Sequence, residues 1–184
     1  MNYCEFVASL DIDSDNPNKH YHDNEYGFEI ESDDALFGRL ILEINQAGLS
    51  WTTILKKQNN FYKAYDGFNI QIVASYRQED IDRLLQDKGI IRNKLKINAV
   101  VYNANKILEL QKEYGSFKLW LEANVKSTKD EWVSLFKKNF KFVGGEIVNE
   151  FLMSIGFLEG AHYPGCKVYK KHIDCKPKWL QILS

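Results

Sequence analysis

The chain has 184 residues, 45% of them hydrophobic, and this length suits one compact folding unit better than two. Its formal net charge is −1, with 24 basic and 25 acidic residues, so overall charge gives no argument for a nucleic-acid partner. No window approaches about 18 uninterrupted apolar residues, and the first residues lack the basic-then-apolar order of a signal peptide, so we expect a cytoplasmic protein that does not enter a membrane.

The stretch LILEINQAGLSW, residues 40–51, places a carboxylate where a buried helix face is expected. Ser32 is suited to cap a helix that starts near Asp33, and Gly48 is suited to end it. Burying an unpaired carboxylate costs several kcal/mol. Glu43 therefore lies at the edge of the face, reaching solvent or a lysine, or it faces a cavity. The residues that share its face at helical spacing are Leu36, Leu40, Ile44 and Ala47.

Helical periodicity dominates the rest of the chain, and the alternation typical of strands is hard to find. We therefore predict an all-α fold with short connections. The stretch up to about Glu31 and the tail after Gly160 are the least regular parts. The segments with apolar residues at three-to-four spacing are EDIDRLLQD, NKLKINAVVYNANKILELQ, SFKLWLEANV, KDEWVSLFKKNF and EIVNEFLMSIGF.

The segment LLQDKGIIRNKLK, residues 84–96, indicates a tight hairpin between two helices. One helix breaks at Lys88 and Gly89, and we expect the next to begin at once. Backbone N–H groups at a helix start bind phosphate without reading sequence. An ordinary turn between two helices is the alternative. Basic side chains that would add counter-charge are Lys88, Arg92, Lys94 and Lys96.

All histidines and cysteines lie near the two ends of the chain. Two thiolates and two imidazoles form a closed tetrahedral zinc site, which stabilises loops with little apolar surface. In HYPGC, His162 and Cys166 are four residues apart, whereas HIDC offers His172 and Cys175 as a rival pair. Surface histidines and free thiols are the alternative. The N-terminal candidates are Cys4, His20 and His22.

Four segments, in chain order, resemble the DNA-3-methyladenine glycosylase I family of the helix-hairpin-helix superfamily. They are YHDNEYG, LEINQAGLSW, LLQDKGIIRNKLKINAVVYNA and FKFVGGEIVNEFLMSIG. The resemblance runs from Cys4 to about Cys166. It implies an all-α, helix-hairpin-helix glycosylase-like domain whose zinc site joins the N- and C-terminal segments. We expect a single glycosylase domain over residues 1–184 with two helical lobes, in which the tail 167–184 has no clear counterpart.

The resemblance also implies roles for individual residues. Glu43 would hydrogen-bond the damaged base, Trp51 would stack on it, and Tyr21 would line the pocket, so Glu43 and Tyr21 are the catalytic candidates. Phe6 and Tyr26 stand where family members usually have tryptophans, and they are further candidates for binding the base. The implied zinc ligands are Cys4, His22, His162 and Cys166. The implied DNA-binding residues of the hairpin are Gly89, Ile90, Ile91, Arg92 and Lys94.

The implied activity is DNA repair: the enzyme would flip out N3-methyladenine from alkylated double-stranded DNA and excise it by hydrolysis. We expect a monomer in the cytoplasm, at the nucleoid when acting on DNA. Aligned on Gly89, Asn93 stands where lyase members carry a Schiff-base lysine, so we expect no lyase step. Two alternatives are a zinc-stabilised helix-hairpin-helix DNA-binding module without catalysis and a zinc hydrolase. A DNA-binding module has no need for a carboxylate that faces inward. A zinc hydrolase needs three protein ligands and an open fourth position on the metal, whereas the implied set has four ligands.

Overall fold

The structure, a computed structural model, describes residues 2–11 and 15–182, and over these residues it contains helices and no strand. The all-α prediction is confirmed for this part of the chain. No helix within it is both long and apolar enough to cross a membrane. The helices are α1 (Tyr3–Ala8), α2 (Pro17–Asn24), α3 (Asp33–Gln46), α4 (Trp51–Ala64), α5 (Ile70–Ala74), α6 (Gln78–Gln86), α7 (Lys94–Tyr114), α8 (Phe117–Ala123), α9 (Lys129–Asn139), α10 (Gly145–Ser154), α11 (Tyr169–Asp174) and α12 (Lys178–Ile182), with a 3-10 turn at Asp66–Phe68.

The chain divides into two compact units. The first unit comprises Met1–Glu29 and Asn149–Ser184, and the second comprises Ile30–Val148. Helices α1, α2, α11 and α12 therefore belong to the first unit, and α3 to α9 belong to the second. The expectation of one glycosylase domain over residues 1–184 stays a prediction.

Helix α3 is the central helix of the second unit. It starts as predicted, because the Ser32 side chain accepts the N–H of Ala35 at 3.4 Å, and Gly48 follows its end with φ +84°. Every residue from Leu36 to Asn45 is buried, and the helix packs against α4, α5, α7 and α8. The sequence predicts one apolar face, whereas the helix is buried on all sides over these residues. Glu43 therefore has no solvent edge to reach.

The connection between α6 and α7 differs from the prediction. Helix α7 begins at Lys94 and not directly after Gly89, so the hairpin turn is Asp87–Asn93. The start is fixed by Asn93, whose side-chain oxygen accepts the N–H groups of Leu95 at 3.0 Å and Lys96 at 3.2 Å. An N-cap asparagine satisfies the donors that open a helix, and here it sets the boundary.

The two ends of the chain are more regular than predicted. The stretch up to Glu31 contains α1 and α2, and the tail contains α11 and α12. These helices have five to eight residues, too few for periodicity to identify them, and such short helices depend on caps and packing. Asn2 and Glu5 form a capping box on α1, and Asn16 caps α2.

Candidate active site and metal centre

Four side chains of the first unit converge in the way a metal site requires. The ligand atoms of Cys4, His22, His162 and Cys166 lie within 4.8 Å of one another. The Cys166 sulfur is 3.5 Å from His22 Nε2 and 3.6 Å from His162 Nδ1, and the Cys4 sulfur is 3.7 Å from the same Nδ1. Zinc bonds of about 2.3 Å to sulfur and about 2.0–2.1 Å to nitrogen give tetrahedral S···N edges of roughly 3.5 Å. The four residues implied by the family resemblance therefore fit a zinc ion.

The second nitrogen of each histidine ring is also engaged. His22 Nδ1 lies 2.7 Å from the Asp23 carboxylate, and His162 Nε2 lies 2.8 Å from the Tyr26 carbonyl oxygen. Metal-binding histidines make these contacts, because an acceptor on one nitrogen fixes the tautomer and directs the other to the metal. Asp23 is itself held by the tail, since Lys167 Nζ donates to its carboxylate at 2.8 Å and Lys171 Nζ to its carbonyl at 2.9 Å.

Burial shifts the pKa values of two side chains of this cluster, His162 and Cys4. Burial lowers the pKa of His162 to about 4. Burial, reinforced by the neighbouring Cys166 thiol, raises the pKa of Cys4 to about 12. Although burial acts to raise the pKa of Asp23, hydrogen bonds from Lys167 and His22 lower it. The His162 imidazole is thus neutral and ready to donate a lone pair, whereas a metal must displace the proton of the Cys4 thiol.

The remaining histidines and cysteine are not part of the cluster. His20 and Cys175 are exposed. His172 is buried with its ring centroid 5.2 Å from that of His162, but its Nε2 accepts the indole N–H of Trp179 at 3.4 Å. The rival pair of His172 and Cys175 is therefore excluded as part of this site.

The predicted aromatic residues of the first unit lie around Tyr3. Tyr21 and Tyr26 are buried with ring centroids 5.6 Å apart, and the Tyr3 ring contacts both, at 6.2 Å and 5.3 Å. Phe6 stacks on Tyr3 at 6.2 Å. The Tyr26 hydroxyl donates to the Glu150 carboxylate at 3.3 Å, a partner from α10 that no local pattern in the sequence reveals.

Glu43 and Trp51 belong to the second unit. Glu43 is only 3% exposed, and Arg39, one helical turn earlier in α3, is 6% exposed. Both charged side chains have interaction partners within the protein, so Glu43 is not an isolated buried charge. Trp51 is half-buried as the first residue of α4, where the Ser50 hydroxyl accepts the N–H of Thr53 at 3.2 Å.

Two of the backbone N–H groups predicted to bind phosphate form hydrogen bonds within the hairpin turn. The Gly89 N–H donates to the Asp87 carboxylate at 2.7 Å, and the Ile90 N–H to the Asp87 carbonyl at 3.4 Å. In this conformation these two N–H groups are engaged within the turn, and DNA binding by Gly89 and Ile90 stays a prediction. Among the described residues, the N–H groups of Ile91 and Arg92 have no acceptor.

The basic side chains near the hairpin divide into two groups. Lys88, Arg92 and Lys94 are exposed, as a role beside phosphate requires. Lys96 is only 4% exposed, and its amine donates to the carbonyl oxygens of Asn45 at 2.9 Å and Ala47 at 2.8 Å. The prediction of Lys96 as phosphate counter-charge is therefore wrong, since a charge pattern alone cannot tell a solvated lysine from a buried one.

Comparison with known proteins agrees with these features. The family model for methyladenine glycosylase matches residues 12–135. The chain belongs to this family. The DNA-3-methyladenine glycosylase 1 of Escherichia coli is 34% identical over 168 residues, which cover 81% of this chain and 89% of the relative. A DNA-3-methyladenine glycosylase of Haemophilus influenzae is 32% identical over 175 residues, covering 85% and 92%.

Solved glycosylase structures share the fold. The 3-methyladenine DNA glycosylase I of Staphylococcus aureus has a TM-score of 0.79 at 32% identity, covering 91% of this chain and 96% of its own. A substituted 3-methyladenine DNA glycosylase I in complex with 3-methyladenine has a TM-score of 0.80 at 32% identity, covering 91% and 97%. That form carries phenylalanine in place of a tyrosine. Another solved form carries glutamine in place of a glutamate. In the numbering of those chains, the tyrosine and the glutamate are separated by as many residues as Tyr21 and Glu43 are here.

Proposed function

We propose that this chain releases 3-methyladenine from alkylated DNA by hydrolysing the bond between the base and its deoxyribose. The observation that carries the proposal is the buried carboxylate of Glu43, which precedes the half-buried Trp51 in a member of the methyladenine glycosylase family. The matching separation of the tyrosine and glutamate positions substituted in solved relatives supports roles for Tyr21 and Glu43.

Recognition of the base requires that it leave the DNA stack, because its edge cannot be read inside a duplex. We assign Glu43 to pair with the positive charge and exocyclic amine of N3-methyladenine, and Trp51 to stack on the ring. Stacking contributes about 1–3 kcal/mol and a charge-assisted hydrogen bond about 1.5–3 kcal/mol. Together they can offset an unstacking cost of a few kcal/mol. For Tyr21, Tyr26 and Phe6, a role in binding the base is what the family resemblance implies.

Bond cleavage needs little acid or base strength, because N3-methylation makes the adenine a cationic leaving group. A water oxygen bonds to C1′ as the bond from C1′ to N9 breaks. The electron pair of that bond neutralises the departing base, and the proton of the water passes to solvent. In this scheme Glu43 acts by holding the base in the orientation from which it departs.

The DNA backbone would be held by the hairpin turn Asp87–Asn93. Within the predicted set, the N–H groups of Ile91 and Arg92, which have no acceptor among the described residues, support a phosphate contact. The exposed side chains of Arg92 and Lys94 would add counter-charge, so this contact would position double-stranded DNA without reading its sequence.

A lyase step is not part of the proposal. A Schiff base needs an accessible amine, whereas the Lys96 amine is buried against two carbonyl groups. Asn93 at the hairpin is committed to capping α7. Because the family resemblance places Asn93 where lyase members carry the Schiff-base lysine, the expected product is an abasic site in an intact strand.

A zinc ion bound by Cys4, His22, His162 and Cys166 would be structural. When bound it supplies a cross-link between the two ends of the chain, which is valuable where short helices bury little apolar surface. Four protein ligands leave no position for a catalytic water, which disfavours a zinc hydrolase. Membership in a glycosylase family disfavours a DNA-binding module without catalysis.

The proposal is tested on a duplex that carries N3-methyladenine. Incubation should produce free 3-methyladenine, measured by chromatography, and the remaining strand should break only after alkali treatment. Strand breakage without alkali would contradict the monofunctional mechanism. Absence of free base with folded, metal-loaded protein would contradict the function itself.

A further inference from the structure

Lys96 occupies an unfavourable position for a lysine. It lies in the first turn of α7 and is only 4% exposed. A cation there opposes the dipole of its own helix, and lysine is almost never fully buried unless it is paired. Burial lowers the pKa of Lys96, since removal from water disfavours its charged form. Nothing in α7 itself explains this side chain.

The explanation lies at the end of another helix. Lys96 Nζ donates to the carbonyl oxygens of Asn45 at 2.9 Å and Ala47 at 2.8 Å, and it lies 5.7 Å from the ring centroid of Phe142. These two carbonyl groups close the C-terminal end of α3, where unpaired C=O groups and the negative end of the dipole favour a cation. Lys96 therefore acts as the C-terminal cap of α3.

This cap joins the parts of the second unit that the proposed function uses. Glu43 lies in the last turns of α3, just before the carbonyl groups that Lys96 binds, and Trp51 begins the next helix. Lys96 lies in the first turn of α7, the helix that directly follows the hairpin turn. Helix α4 is tied to the same turn, because Lys57 Nζ donates to the Gly89 carbonyl at 3.1 Å.

We propose that Lys96 is a positioning residue for the glycosylase reaction. Its ammonium group holds the end of α3 against the start of α7, so that Glu43 and Trp51 keep their orientation toward the base while the hairpin holds the DNA backbone. This inference rests on the proposed function. A misplacement of about 1 Å can slow an enzyme about 100-fold, so the loss of two charged hydrogen bonds can slow release without unfolding the chain.

The test compares Lys96→Met, which keeps the apolar stem, with Lys106→Met. Lys106 lies on the same helix and pairs at the surface with Glu109 at 2.9 Å. Three quantities are measured: the single-turnover rate of 3-methyladenine release at saturating enzyme, the affinity for undamaged duplex, and the thermal midpoint. For Lys96→Met we expect release to slow by about tenfold or more with duplex affinity close to the parent. The midpoint should fall but leave the protein folded at the assay temperature, because the two carbonyl groups lose their donor. Lys106→Met should match the parent in all three.

The outcomes separate the inference from the proposed function. A parent protein that releases no base overturns the proposed function, whereas an active parent and an equally fast Lys96→Met overturn the positioning role alone. If Lys96→Met does not fold, the same measurements are made on Lys96→Arg, because arginine keeps the charge but changes the reach of the donors. A slower rate per folded molecule with unchanged duplex affinity supports positioning. A rate equal to the parent, or one that falls only with the folded fraction, overturns it.

Discussion

Glu43 is the residue on which the proposed chemistry depends most. Glu43→Gln keeps the shape of the side chain and removes its charge. We expect weaker binding of 3-methyladenine and slower release, with only a small change in stability, because the amide keeps the shape and much of the hydrogen-bonding capacity of the side chain. Base binding is measured by NMR titration, release by chromatography and stability by thermal unfolding.

Glu146→Gln is the matched control for this change. The Glu146 side chain is 86% exposed and pairs at the surface with Lys129, so its neutralisation should leave all three measurements unchanged. The opposite pattern for Glu43→Gln, full activity with markedly lower stability, would make Glu43 a structural partner within the protein. Arg39, buried one turn earlier, would then be the first candidate for that partner.

Substitutions of Trp51 test stacking on the base separately from recognition of its charge. Trp51→Ala should weaken binding of the free base by about 1–3 kcal/mol, because the base loses an aromatic surface. Trp51→Phe keeps a ring and should retain much of the affinity. Equilibrium dialysis with 3-methyladenine measures both without relying on tryptophan fluorescence. Equal losses in the two variants would argue against stacking and for a packing role of the indole.

At the scale of elements, the hairpin is tested at Gly89. A Cβ atom there would lie 2.9 Å from the Asp87 carboxylate and 3.2 Å from Asn60, so Gly89→Ala must shift the carboxylate that accepts the Gly89 N–H and loosen the turn. We expect weaker binding of undamaged duplex, measured over a series of salt concentrations, with binding of free 3-methyladenine unchanged. Gly144→Ala is the control, because a Cβ at Gly144 meets no atom within 4 Å. Equal loss of duplex and free-base binding would show that the turn is purely structural.

The C-terminal tail is tested through Lys167. Its amine holds the Asp23 carboxylate, which in turn contacts His22. Loss of such outer contacts typically costs about 10–100-fold in metal affinity, and Lys167→Met, one step further out, should speed zinc transfer to a chelator by up to about tenfold. Lys170→Met, exposed in the same segment, is the control. Identical transfer rates would contradict a role of the tail at the metal centre.

The sequence predicts long elements better than short ones. Ser32 and Gly48 gave the correct limits of α3 because caps act locally. Helices α1, α2, α11 and α12 were missed because their stability comes from contacts with distant residues, which one sequence does not display. The start of α7 was misplaced because Gly89 looked like the boundary, whereas the side chain of Asn93 sets it.

In the candidate site, too, contacts between distant residues are what the sequence does not show. Side-chain chemistry alone could not choose between Cys166 and Cys175, and the family resemblance chose the pair that the structure brings together. Lys96 was misassigned because its acceptors lie about fifty residues away in the chain, and the distance between them in space depends on the fold. The chemistry of a side chain can thus be read from the sequence, but its partners in the folded protein cannot.

At the scale of the whole molecule, the proposed metal site draws its ligands from both ends of the chain. Purified protein should contain about one zinc per chain, and Cys4→Ser or Cys166→Ser should lower the thermal midpoint more than Cys175→Ser, whose thiol is exposed. Zinc binding to metal-free protein should release protons, since burial keeps the Cys4 thiol protonated. Metal analysis that finds no zinc in protein purified without chelator would contradict the assignment.

The central claim is that this chain excises 3-methyladenine from DNA. The most direct measurement treats duplex DNA with a methylating agent, incubates it with the protein, and quantifies free 3-methyladenine over time against the spontaneous loss in a protein-free sample. The account predicts release well above the spontaneous rate for the parent protein and a much lower rate for Glu43→Gln at the same concentration of folded protein. Release by the parent no faster than the protein-free sample would contradict it.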